Sequence, residues 1–292
     1  MSSSARDFTT EFLDAMNPTA PVDLVPALAC PQPVAVICHI TGIPSGYRQR
    51  IERSSAILSD VTVAEARELR KASIDFARLF LPYIAARRML PRDDLITSLT
   101  RQMATGDMNL KETLSTVALL LIAGHETTSN PILGTPLSLL RDPDELDRAR
   151  TDPARITAVI DETLRTDPPL PVTTLRQAHT DLDLVGQGVK RGELLMVLPL
   201  AANQDPETVD TPYIFDADRT AHHMSFGVGI HHCLGARLAR AEAMTASAGC
   251  STGFRTSAWQ SHPSPFGGDA ASSFGGWSHC RCPSHVRRCG PR

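Results

Sequence analysis

Between about Leu110 and Leu140 the chain carries a run whose middle places apolar residues on every side of a helix instead of in one stripe. A helix of that kind must pass through an interior, so the other elements have to be arranged around it. Pro131 and Pro136 should bend it or end it early, since each removes an amide donor and crowds the preceding turn. Within it lies Ala123-Gly124-His125-Glu126-Thr127-Thr128. A buried acid followed by two threonines is costly unless it meets water or a ligand. Gly124 should leave a notch where a flat cofactor or dioxygen can approach the helix. The plainer reading is a helix bent by threonines that bond back to its own carbonyls.

The pattern up to about residue 170 is helical throughout. Thr62 to Ala86 places Val63, Ala66, Leu69, Ile74, Ala77, Phe80 and Ile84 on one side, and Asp93-Asp94 opens a helix through Met103. From Val172 to Leu200 the period shortens to that of strands, with Gly186, Gly188 and Gly192 between apolar pairs. The fold class expected is mainly α with a minor β-sheet. With 29 basic and 32 acidic residues, no nucleic-acid or membrane-surface partner is indicated. The longest apolar run, Val117 to Ala123, is too short to cross a bilayer, and no signal peptide is visible, so a cytoplasmic protein is expected. Only Cys30, Cys38 and Cys233 of the seven cysteines precede residue 245, which is not a disulfide framework.

Phe226-Gly227-Val228-Gly229-Ile230-His231-His232-Cys233-Leu234-Gly235 sets one cysteine on a glycine-punctuated loop directly before a helix start, Ala236 to Glu242. Glycines at 227, 229 and 235 permit positive φ and close approach to a flat ligand. A thiolate at a helix N-terminus is stabilised by the free amides there and can serve as an electron-donating iron ligand.

This loop resembles the haem-binding loop of the cytochrome P-450 superfamily, whose pattern Phe-Gly-x-Gly-x-His/Arg-x-Cys-x-Gly it matches at every fixed position. The helical segment at Ala123–Thr128 is similar to that family's oxygen-activating signature. The resemblance implies haem b as cofactor and Cys233 as the axial metal ligand. Phe226, Gly227, Gly235, His231, Arg176 and, less directly, His223 would contact the cofactor. It implies that Thr127 hydrogen-bonds the dioxygen being activated, that Glu126 delivers protons, and that Ala123, Val172 and Thr173 line the substrate pocket.

Glu162 and Arg165 stand at i and i+3 on a helix, where an ion pair can form. They match the family's structural Glu-x-x-Arg. The third basic residue of that network is replaced by Ile214, unless Arg219 substitutes for it. Arg237 and Arg240 offer positive charge on the cysteine side, where a ferredoxin with its reductase, or a flavodoxin-type donor, should dock.

The resemblance extends from about residue 10 to 244, giving a partial cytochrome P-450 domain over 1–244 whose N-terminal third is missing. Residues 245–292 contain no leucine or isoleucine yet hold both tryptophans and four cysteines. They read as a disordered, frameshifted tail. Codons permitted for Gly249 to Ser261 can, in another frame, encode the helix-and-strand ending usual in the family. The implied function is a monomeric haem-thiolate monooxygenase acting on a small organic substrate. The alternative is a catalytically inactive fragment unable to bind haem stably.

Overall fold

A computed structural model describes residues 2–16, 22–59, 66–220 and 222–253. The helices are α1 (Ser2–Asp14), α2 (Pro31–Thr41), α3 (Arg48–Ser59), α4 (Ala66–Met89), α5 (Leu95–Thr105), α6 (Leu110–Arg141), α7 (Pro143–Thr151), α8 (Arg155–Thr166), α9 (Pro199–Asn203) and α10 (Ala236–Gly253). Four short strands, β1 (Arg176–Gln177), β2 (Leu182–Leu184), β3 (Gln187–Val189) and β4 (Leu194–Leu195), form two antiparallel pairs, β1 with β4 and β2 with β3. The β2–β3 turn places Val185 at φ 52° and Gly186 at φ 83°. The expected segment Thr62–Ala86 begins in residues outside those described, and its helix runs on to Met89.

Helix α6 is the axis. Its start is fixed by a capping box: the Asn109 side chain accepts from the Glu112 amide at 3.0 Å, and Glu112 Oε2 accepts from the Asn109 amide at 2.7 Å. Contrary to the expectation of an early end, Pro131 and Pro136 both lie inside one continuous helix. Both are buried among packed neighbours, and that packing outweighs the local loss of hydrogen bonds.

The helix joins two cores. Its N-terminal half gives Val117 and Leu121 to a cluster with Val34, Ile37, Ile51, Phe76, Phe80, Ile84 and Ile96. Its C-terminal half gives Ile132, Leu133 and Leu139 to a second cluster with Leu28, Leu146, Ile156, Ile160, Leu164 and Ala243. Each fully buried Leu or Ile side chain contributes about 1.5–3 kcal/mol by leaving water.

A second departure concerns the faces of α6. Thr113, Val117, Leu121, His125 and Thr128 are buried, but Ser115, Leu119 and Ala123 are exposed, Leu119 by 64%. Positions two apart point about 200° from each other on a helix, so one face carries the core and the opposite face is open.

The N-terminal core is pinned by a polar knot. Asp94 caps α5 by accepting from the Thr97 amide at 2.8 Å and also takes Arg87 Nε at 2.5 Å, while Arg87 Nη2 donates to the Gly42 carbonyl at 3.0 Å. Burial opposes ionisation of Asp94, but the Thr97 amide and the Arg87 guanidinium outweigh it and hold its pKa below the usual range. Gly42 ends α2 at φ 77°, and a Cβ there would fall 2.2 Å from Asp94 Oδ2, so no other residue fits.

The boundary expected at residue 244 falls inside α10, which continues to Gly253 and buries Ala246, Ser247 and Cys250. Small residues allow close packing here: a Cβ on Gly249 would meet Leu13 Cδ1 of α1 at 2.3 Å. Residues 254–292, most of the expected tail, lie outside the described residues.

Candidate functional site

The cysteine loop is built from backbone hydrogen bonds. The Gly227 amide donates to the Met224 carbonyl at 2.8 Å, the His232 amide to Gly229 at 3.1 Å, and the Cys233 amide to the Phe226 carbonyl at 2.8 Å. Gly227 and Gly229 take φ of 69° and 66°, the left-handed conformation that glycine adopts without a Cβ penalty. Gly235 does not, contrary to expectation, and a Cβ there would lie 3.9 Å from Cys233 Sγ, an ordinary contact. The Cys233 carbonyl then accepts from the Ala236 amide at 3.3 Å, which sets the thiol just ahead of α10.

Cys233 is exposed, and beside it in the chain Val228, Ile230 and Leu234 are 64%, 96% and 89% exposed. Uncovered apolar side chains around a lone thiol form a surface for a flat apolar ligand. Among the described residues no three His, Cys, Asp or Glu side chains converge to hold a metal ion. The donor set is therefore one sulfur, which suits an iron whose other ligands come from a macrocycle. The residues present fit that group.

On α6, Thr127 is partly exposed on the same side as Leu119 and Ala123, and its hydroxyl donates to the Ala123 carbonyl at 2.5 Å. Glu126 is half-buried and Thr128 buried. Gly124 is half-buried, and an ideal Cβ on it would lie 3.9 Å from Ile37 Cδ1 of α2, an ordinary contact. His125 is 5% exposed. Burial depresses its pKa to about 4, offset in part by the Cys30 backbone, and neither ring nitrogen makes a hydrogen bond of ordinary geometry.

Glu162 and Arg165 are the best-determined pair. Arg165, 1% exposed, donates Nε and Nη2 to the two Glu162 oxygens at 2.7 and 2.8 Å, and Nη1 to the carbonyls of Asn203 and Pro212 at 2.9 and 2.8 Å. Arg219 takes the third place, its Nε 3.4 Å from Glu162 Oε1 and its Nη1 on the Asp210 carbonyl at 2.5 Å. Ile214 contributes its carbonyl to both arginines, at 3.3 and 3.2 Å. The network clamps the irregular segment before the loop onto α8.

Arg176 and His231 are exposed, and Arg176 donates to the Thr174 hydroxyl at 3.1 Å. Val172 and Thr173 are half-buried, the Thr173 amide donating to the Val197 carbonyl at 2.9 Å. His223 is engaged within the protein. Its side chain is 6% exposed, Nδ1 accepts from the Ser225 amide at 3.2 Å, and Nε2 lies 3.4 Å from Asp161 Oδ1. Both nitrogens are used. Arg240 is likewise engaged: its Nε donates to Asp161 at 2.9 Å and its guanidinium lies 4.4 Å over the Phe226 ring. Arg237 is exposed.

Asp161, Asn203 and Ser225 escaped sequence reasoning. Asn203, 1% exposed, accepts from the Met224 amide at 2.7 Å and donates to Ser225 Oγ at 3.0 Å, and Ser225 Oγ donates to the Leu164 carbonyl at 2.6 Å. Only a tertiary fold shows such pairs. A separate surface groove lined by Asp144, Asp147, Arg148, Arg155 and Asp218 contains none of these residues and is crossed by the Arg155–Glu145 and Arg148–Asp218 ion pairs.

Fold and site together define a class: a helical protein with a long central helix carrying an acid–threonine pair and a lone cysteine at the head of a second helix packed on it. Comparison with known proteins gives the family. The cytochrome P450 family model matches residues 29–257. A cytochrome P450, 107B1, of Saccharopolyspora erythraea is 38% identical over 240 residues, covering 82% of this chain and 59% of that protein. The 6-deoxyerythronolide B hydroxylase of the same organism is 35% identical over 238 residues, covering 80% and 58%. Among solved structures, the cytochrome P450 enzyme CxnD for C–S bond formation in chuangxinmycin biosynthesis superposes with a TM-score of 0.80 at 35% identity, over 86% of this chain and 61% of that one. This chain belongs to the cytochrome P450 family, and it spans about three fifths of the length of these relatives. No helix among the described residues is long and apolar enough to cross a membrane.

Proposed function

We propose that this chain carries the thiolate and oxygen-side helices of a haem-thiolate monooxygenase that hydroxylates a small organic molecule. One observation carries the reading: Cys233 stands exposed on a glycine-formed loop that also exposes Val228, Ile230 and Leu234, at the head of a helix packed on the helix of Glu126 and Thr127. Haem b bound there supplies reductive activation of dioxygen, with one oxygen atom entering a substrate C–H bond and the other leaving as water.

The chain's own residues bind, orient and move protons. Cys233 gives its sulfur to the metal. Gly227 and Gly229 would leave the loop open to a macrocycle held by Cys233. Arg176 and His231, both exposed, pair with its carboxylates. The Thr127 hydroxyl hydrogen is committed to the Ala123 carbonyl, which leaves the Oγ1 lone pairs to accept a hydrogen bond from a proton-bearing partner. Glu126 supplies the proton from the adjacent position. Ala123, Val172 and Thr173 line the substrate side. Electrons come from a ferredoxin or flavodoxin-type donor approaching near Arg237, and the protein works as a cytoplasmic monomer.

The test is the absorption spectrum of the purified chain after haem reconstitution, reduced under carbon monoxide. A strongly red-shifted Soret band, lost in Cys233→Ser, is the expected result. No haem uptake, or a band typical of a neutral axial ligand, would overturn the proposal and leave the reading of a fragment unable to hold haem.

A further inference from the structure

The Glu162–Arg165 network fixes the segment before the cysteine loop but does not touch the loop itself. A different group does. Asp161, the residue before Glu162 on α8, receives two donors from opposite flanks of the loop: His223, three residues before Phe226, and Arg240, on α10 beyond Cys233. The Ser225 amide occupies His223 Nδ1, so the ring proton sits on Nε2 and points to Asp161. Arg240 lies 4.4 Å over the Phe226 ring, and His223 and His232 flank that ring with centroids 5.6 and 6.4 Å away. The Phe226 carbonyl in turn holds the Cys233 amide at 2.8 Å. One carboxylate on α8 is thus linked, through a guanidinium and a ring, to the backbone of the cysteine.

We infer that Asp161 is a positioning residue for Cys233: it sets Arg240 on Phe226 and locks the loop that aims the thiol. Geometry supports the role from both ends. Asp161 and Arg240 keep 41% and 36% of their side chains exposed, so the pair is not part of the core. A planar guanidinium can hold a carboxylate with its edge while stacking on a ring with its face, which a lysine cannot do. Burial opposes charge on Asp161, but hydrogen bonds from His223 and Arg240 outweigh it and lower its pKa, so it is ionised when the clamp is closed. The clamp is a property of the folded chain. Its consequence for iron ligation rests on the proposed function.

Amide hydrogen exchange on the haem-free full chain tests the clamp by itself. In Asp161→Ala and in Arg240→Lys, the segment 226–233 should exchange roughly tenfold faster than in the wild type, the scale expected from losing a charge-assisted hydrogen bond and a cation–π contact. Segment 155–166 and the thermal midpoint should hold. Asp161→Glu should restore part of the protection. In the haem-reconstituted protein, both weakening variants should shift the reduced carbon monoxide spectrum toward the neutral-thiol form. Unchanged exchange at 226–233 in both variants would overturn the inference, as would loosening of α8 and the loop together. If exchange responds while no variant or wild type takes up haem, the clamp stands and the proposed function falls.

Discussion

Replacing Glu242 with Gln should make the protein more stable in mild alkali and flatten its pH dependence. Glu242 is 2% exposed on α10, its Oε2 has no hydrogen-bond partner among the described residues, and its backbone carbonyl accepts from Gln32 Nε2 at 3.2 Å. Burial pushes its pKa from 4.5 up to about 8. A carboxyl whose folded pKa is raised binds more protons folded than unfolded, so stability falls as pH climbs from about 4.5 to about 8 and is constant above. The slope is about 1.4 kcal/mol per pH unit in that window, flattening near the folded pKa. Below pH 6.5 the His125 titration interferes, so the clean interval is pH 6.5 to 8, where the wild type should lose on the order of 1–2 kcal/mol that Glu242→Gln keeps. Urea unfolding at four or five pH values, fitted with a common m-value, reads the difference directly. Parallel pH profiles for the two proteins would refute the reasoning, since they would mean that Glu242 reaches water or an undescribed partner in the folded chain.

Four further outcomes follow from the same geometry. Glu162→Ala leaves Arg165 buried and unpaired, so it should cost about 3–5 kcal/mol in urea unfolding, far more than a surface ion pair. Gly227→Ala must place a Cβ at φ 69°, at a cost of about 1–2 kcal/mol, and should lower haem occupancy measured by absorbance before it lowers the thermal midpoint of the apo chain. His125 is buried neutral with its pKa depressed to about 4, so its stabilising contribution is complete above about pH 6.5 and lost as pH falls toward 4. His125→Gln should therefore lack the acid-side loss of about 3 kcal/mol seen by comparing the two proteins at pH 6.5 and 4. In the haem-loaded protein, Thr127→Val should leave the carbon monoxide band in place while lowering product formed per electron consumed, as a proton-handling role predicts.

The parts of this molecule that could be read from sequence are those fixed by local chemistry. Glycine spacing around Cys233 and the absence of an amphipathic stripe in α6 are local facts, and the loop and the long helix follow from them. What local chemistry does not carry is direction. Leu119 and Ala123 looked as buried as Leu121, because composition does not say whether neighbours exist on both sides. The link of His223 and Arg240 to one carboxylate was hidden because their shared partner, Asp161, is 62 and 79 residues away in the chain. The helix past Met244 was hidden by its small residues, which bury little area each but pack at short distance against α1.

The two opposite faces of α6 divide the labour of one helix between heritable stability and adaptable chemistry. Changes at Val117 or Leu121 press on the N-terminal core and should seldom be tolerated. Ser115, Leu119 and Ala123 recur every four residues along the open side, about 6 Å apart, and touch little that holds the chain together. A lineage can therefore rewrite what lies against this ruler, one graduation at a time, without re-solving the folding problem. Selection for new substrates acting on this helix should leave its record at those spacings and almost nowhere else.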